Sequence, residues 1–172
     1  LPAWKDTVAP AITRCVAAAE TILKDPDVDV VERVAAVQFL ATAGDDQKLV
    51  SDQLAAMVSP KNPPALQSAV LSALTTMEDE RTPQRLLKQW HAMTPALRSQ
   101  VAEALLNRAG WTSALLAALE NGSVVDRDLT PTQRERLLRH RSENVRTRSA
   151  KIFSSSGTGT RAEIIKRFEA DV

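Results

Sequence analysis

The chain has 172 residues, 44% hydrophobic and 25% charged, which is enough for one globular domain with a real core and rules out a disordered tail. An aromatic content of 3%, no tyrosine and only five glycines leave too little strand and turn chemistry for a sandwich or barrel. The formal charge of +1 means that no overall field marks the chain as a binder of nucleic acid or acidic substrates.

The chain opens Leu1-Pro2-Ala3-Trp4, without methionine or a basic leader, which suggests a piece excised from a longer protein. A first helix is expected over residues 7–24, where Val8, Ile12, Cys15, Val16, Ala19, Ile22 and Leu23 recur at helical spacing. Cys15, the single cysteine, is expected in the core; one cysteine excludes an internal disulfide, a paired-cysteine zinc or redox site and a c-type haem attachment. Trp4 is expected to cap this end of the molecule. Apolar stripes follow at Val31 to Leu40, at Val50, Leu54, Met57 and Val58, and at Leu66, Val70, Leu74 and Met77. They continue at Leu86, Trp90 and Met93, at Leu97, Val101 and Leu105, and at Leu115, Leu116 and Leu119. No stretch alternates like a strand, and no apolar run approaches the roughly 20 residues of a membrane span, so no membrane insertion by this segment is expected.

Helix boundaries carry their own signals. Thr82-Pro83, Thr94-Pro95 and Thr130-Pro131 each place a hydroxyl at an N-cap and proline at the first helical position, and Thr130 with Gln133 reads as a capping box. Gly44, Gly110 and Gly122 are expected just beyond helix ends, in left-handed conformation. Laid over one another, Val31, Leu66, Leu97 and Val145 begin similar segments, each with a large apolar residue eight positions on: Phe39, Leu74, Leu105 and Phe153. Periods of this size in an all-helical chain predict a solenoid, in which each helix pair buries its apolar face on the next. The expected domain is therefore a single one over 1–172: the helix at 7–24, repeats at about 27–58, 63–93, 95–121 and 142–172, and an inserted helix at about 130–140.

Asp25-Pro26-Asp27 ahead of Val31-x-Arg33-x-Ala35-Ala36, then Gly44-Asp45, and above all Ser142-Glu143-Asn144-Val145-Arg146-x-Arg148-Ser149-Ala150 resemble the HEAT-like repeat family. That resemblance implies an all-α right-handed superhelix of about four helix pairs, acting as a scaffold. The last third, from Leu115 to Gly122, through Asp128-Leu129-Thr130-Pro131 and Arg134-x-Arg136-Leu137-Leu138-x-His140, to Val145-Arg146-x-Arg148, is similar to the HEAT-repeat segment of planctomycete-type membrane-bound dehydrogenase-like proteins. Those proteins also carry a c-type cytochrome domain. The likeness implies a helical spacer between neighbouring domains, in a periplasmic or exported setting, with protein partners or flanking domains and no cofactor of its own.

Charge is unevenly spread. Residues 1–126 carry 11 Lys and Arg against 15 Asp and Glu, whereas residues 127–172 carry 11 against 6. Arg134, Arg136, Arg139, Arg141, Arg146 and Arg148, with Arg127 ahead of them, form a candidate anion or partner surface, with Trp111 as a candidate stacking ring. One reading is a nucleic-acid interface, as in DNA glycosylases built on HEAT-like repeats, with Asp126 or Asp128 as a carboxylate. The plainer reading is a solvated face plus the arginines that such repeats place for hydrogen bonding between repeats; it is preferred because no glycine-rich loop or cluster of stacking aromatics accompanies the charge. Trp90, on a stripe with Leu86 and Met93, is expected in the core. His91 and His140 lack metal-ligand spacing, no nucleophile elbow is present, and Ser154 to Thr160 reads as a connection without the lysine of a phosphate loop. The functional expectation is a non-enzymatic scaffold with no catalytic, cofactor or metal residues.

Overall fold

Every regular element among the described residues is a helix, as the 3.6-residue periodicity of the apolar positions requires. The computed structural model describes residues 4–43, 47–77 and 79–154, with side chains from Pro10 onward. The expected turn at Gly44-Asp45, the side chain of Trp4, most of the Ser154–Thr160 connection and the end of the repeat expected at 142–172 lie outside the described residues. The helices are α1 (Trp4–Lys24), α2 (Val30–Ala43), α3 (Gln47–Met57), α4 (Pro64–Thr76), α5 (Thr82–Lys88), α6 (Pro95–Leu106), α7 (Ala109–Glu120), α8 (Pro131–Leu138) and a ninth, α9, over residues 143–154; single 3-10 turns cover Trp90–Ala92 and Asp126–Asp128.

Packing follows two series. α2 packs on α4, α4 on α6 and α6 on α8; α3 packs on α5 and α5 on α7; α2 with α3, α3 with α4 and α6 with α7 join the series, and α1 lies on α2. Leu40, Leu54, Leu66, Leu74, Leu86, Trp90, Leu105, Leu115 and Leu116 are wholly removed from solvent. They belong to one continuous apolar cluster that runs from Ala19 to Val145. Burying each such side chain contributes about 1.5–3 kcal/mol, so the seams between helices carry most of the stabilisation.

A second pattern repeats at the helix starts. In a first turn the Cα–Cβ bond tilts toward the N-terminus, so a polar side chain there reaches back to the incoming chain. The fourth residue of most helices does this. Arg33 of α2 donates from Nε to the Leu23 carbonyl (3.2 Å), and Gln67 of α4 donates from Nε2 to the carbonyls of Ser59 (3.0 Å) and Asn62 (2.8 Å). Arg98 of α6 donates to the Trp90 and His91 carbonyls, Thr112 of α7 to those of Leu105 and Arg108, and Arg134 of α8 to that of Leu129. Arg146 of α9 donates to His140 and Arg141. These bonds tie the start of each of these helices to carbonyls of the segment that leads into it.

Several local expectations are corrected. Cys15 is exposed, not in the core. Ala19 and Leu23 form the buried side of α1, Val16 and Ile22 pack partly against the core, and Glu20 accepts from Gln53 of α3 at 3.2 Å. Val31 is 72% exposed whereas Leu66 and Leu97 are buried, so the overlay slips: the buried residues of α2 and α4 match through Arg33 and Gln67. The helix expected as an insertion packs on α6, as α6 does on α4, and α9, which holds Val145, follows it. Gly110 lies inside α7; Gly122, with φ of 78°, is the residue that ends that helix in left-handed conformation. Thr94 and Thr130 cap as expected, the latter in a full capping box, but Thr82 lies within α5, its buried hydroxyl without a hydrogen-bond partner among the described residues.

Candidate functional site

Between α4 and α6, and closed at one end by the start of α8, runs an open groove of about 550 Å³. Its walls are polar. Ser68, Ser72 and Thr75 stand at i, i+4 and i+7 on α4, opposite Gln100 and Glu103 on α6 and Asn107 at its end, with Ser99 beside them; Leu71 and Ala104 form the floor. The two walls meet where the Ser68 hydroxyl points at Gln100 Oε1, 3.5 Å away. At the far end Gln133 Nε2 donates to the Ser99 carbonyl (2.9 Å), which ties α8 to α6. Ser72 Oγ, Ser99 Oγ and the amide nitrogens of Gln100 and Asn107 have no hydrogen-bond partner among the described residues. Sequence reasoning missed this groove. The available signal was α4 itself, which has exposed positions yet contains no charged residue at all.

The arginines expected to form an anion surface are largely committed to the protein. Arg134 and Arg146 hold the loop carbonyls named above. Arg136 pairs with Glu103 and donates to Asn107 Oδ1 (3.2 Å), Arg139 pairs with Glu135 one turn back (3.0 Å), and Arg148 makes a two-pronged contact to Glu120 at 2.7 and 2.8 Å. That contact lowers the Glu120 carboxyl and raises the Arg148 guanidinium from their ordinary values, chiefly through the hydrogen bonds between them. Arg141 and Arg127 are exposed. The six side chains are spread over α8, α9 and the link between them, and each paired one faces a different acceptor.

Trp111 is 4% exposed, on the buried side of α7, with the Arg108 guanidinium 5.4 Å from its ring centroid; Arg108 also donates to the carbonyls of Thr75 and Met77. Its ring is not presented for stacking on a base. Trp90 is fully buried, as expected, and its indole N–H donates to Asp128 Oδ2 (2.8 Å) while Arg98 pairs with Oδ1 (3.2 Å). Asp128, weighed as a catalytic carboxylate, is thus held by two structural donors.

A second carboxylate, this one buried, was passed over in the sequence. Asp79, in what reads as an ordinary polar turn, accepts from the Ser51 hydroxyl of α3, from the backbone N–H and guanidinium of Arg81, and from Arg85 of α5 at 3.0 Å. Burial pushes its carboxyl up, but the hydrogen bonds from Arg81 and Ser51 and the charge of Arg81 outweigh this and hold it at about 2. Asp52 joins the same cluster through Arg85 and Arg81.

His91 is exposed, and His140 Nδ1 accepts the Ser142 N–H at 3.1 Å. Among the described residues no three His, Cys, Asp or Glu side chains gather as a metal site would need, and no helix is long and apolar enough to cross a membrane. The site that the structure offers is therefore a polar groove, flanked by ion pairs that are already closed. Compared with family models, curated proteins and solved structures, the chain finds no match.

Proposed function

We propose that this chain is a non-enzymatic scaffold, a HEAT-like solenoid that presents one long helical face to a protein partner or to neighbouring domains of a larger protein. The observation that carries the reading is the packing order: each of α4, α6 and α8 rests on the helix two places before it, and so do α5 and α7. An array built this way grows by adding pairs and gains surface in proportion to its length, which suits spacing and recognition better than enclosing a reaction centre. The arginine and glutamine bonds at the helix starts support it too, since they fix each helix against the chain that leads into it. A spacer within a dehydrogenase-like multidomain protein is the context that the last third suggests. Most of the arginines being paired, a nucleic-acid interface has less to recommend it.

The test is photo-crosslinking in the producing cell, with the reactive side chain placed in turn at exposed Phe39, Ser72 and Arg139 of the full-length protein. Recurrent adducts to one protein, or to flanking domains of the same chain, are expected. Adducts to nucleic acid alone, or none from any of the three positions, would overturn the reading.

A further inference from the structure

The groove between α4 and α6 has a narrower chemistry than the face around it. Glu103 is paired with Arg136, and among the described residues no other charged side chain lines the cavity. What it leaves unused is neutral hydrogen-bonding capacity of both signs, with the amide nitrogens of Gln100 and Asn107 as donors, and the Ser72 and Ser99 hydroxyls as donors or acceptors. Phosphate finds no free cation there, and neither a base nor a sugar ring finds an aromatic platform, because no aromatic side chain lines the walls.

Spacing selects among neutral ligands. Positions 100 to 107, from α6 to the residue that ends it, and 68 to 75 on α4 each advance seven residues, about 10 Å along a helix. An extended polypeptide covers that distance in about three residues, and offers N–H and C=O groups to both sides as it goes. Leu71 and Ala104 give the groove an apolar floor on which modest side chains can rest.

We propose that this groove binds an extended, uncharged stretch of about three residues of a partner polypeptide through its backbone, with Gln100, Asn107, Ser72 and Ser99 as the recognising groups. The assignment rests on the chain being a partner-binding scaffold, and it places the contact on α4 and α6 and not on the arginine-bearing α8 and α9. Recognition through the backbone makes the groove tolerant of partner sequence but intolerant of charge, since an ion seated there would lose hydration without gaining a counter-ion.

The probe is a random heptapeptide display library panned on the 172-residue chain, followed by affinity measurement with the best synthetic peptide. Enriched peptides should share three successive uncharged residues, and methylating the backbone nitrogens of that stretch should weaken binding at least tenfold. Ser72→Lys, which puts a charge and a long side chain into the cavity, should do the same, and Arg127→Ala should change nothing. Ser72 is exposed, so the variant should keep its circular dichroism and melting temperature; the Gln100→Ala, Asn107→Ala double variant is the second arm should it not. No enrichment, an unaltered affinity for the methylated peptide, or indifference to both groove variants would overturn the assignment. A peptide that binds yet ignores both variants would remove the groove while leaving the scaffold function in place; failure of the crosslinking experiment would remove the function itself.

Discussion

A buried aspartate and a half-buried one hold two corners of the molecule, and they do so by different means. Asp79 precedes α5 and gathers Ser51, Arg81 and Arg85, with Asp52 sharing both guanidinium groups. Asp128 precedes α8 and takes one neutral N–H from Trp90 and one guanidinium from Arg98, which is itself anchored on the carbonyls of Trp90 and His91. At the first corner positive charge compensates a buried anion; at the second a carboxylate sets the orientation of a buried ring. The lesson is that charge count, and not burial alone, decides how much a carboxylate stabilises, because both side chains are largely withdrawn from water, at 5% and 15% exposure.

Removing each carboxylate should separate the two. Asp79→Ala deprives Ser51, Arg81 and Arg85 of the buried acceptor they share, and should cost about 3 kcal/mol in urea denaturation. Asp128→Ala leaves Arg98 its two carbonyls and deprives Trp90 of one partner, and should cost about 1.5 kcal/mol. Equal losses would break the comparison.

Titration sharpens it. The Asp79 carboxyl falls from an ordinary 3.8 to about 2 on folding, so the folded state favours the anion. Its contribution is fully present above about pH 4 and disappears as the pH falls through about 2, amounting to about 2 kcal/mol. Chemical denaturation between pH 5 and pH 2 should show this loss in the native chain, and a shallower one in Asp79→Asn. A slope identical in both proteins would place the acid sensitivity elsewhere.

These corners also show what a sequence discloses. Thr94 and Thr130 were readable as caps because donor and acceptor lie three residues apart. Asp79 was not, because Ser51 is 28 residues away, and a turn of Glu, Asp and Arg looks the same whether solvated or buried. The arginine cluster was visible as a run of charge, but Glu103 and Glu120, which close Arg136 and Arg148, lie 33 and 28 residues upstream. Helical period identified the elements; it misplaced Cys15 and Val31 because period reports which side of a helix is apolar, not whether a neighbour exists to cover it. The polar groove escaped for the complementary reason: serines and glutamines on a helix face resemble ordinary solvent-facing residues until two such faces are set opposite one another.

The threonines at the two corners make a smaller contrast of the same kind. Thr130→Val removes the acceptor of the Gln133 N–H in the capping box and should destabilise the chain by about 1 kcal/mol. Thr82→Val replaces a buried hydroxyl that has no hydrogen-bond partner among the described residues with a methyl of similar shape, and should leave melting unchanged or raise it slightly. Two threonines that both precede a proline would then have opposite effects, set by whether the hydroxyl is used.

The smallest effect belongs to the surface of α8. Arg139 is 81% exposed and its partner Glu135 56%, one turn apart on the same helix, so water competes for both ions and the side chains lose rotamer freedom when they pair. Arg139→Ala should cost no more than about 0.5 kcal/mol, and that little should vanish in high salt. Arg136 differs because it reaches from α8 to Glu103 of α6 and to Asn107 at the end of that helix. Its removal loosens a seam between helices as well as a surface pair, so Arg136→Ala should exceed Arg139→Ala and keep part of its effect when salt is raised. If the two variants melted alike at every salt concentration, the bridge from α8 to α6 would contribute no more than an ordinary surface ion pair, and the groove wall would owe its position to apolar packing and the Gln133 hydrogen bond alone.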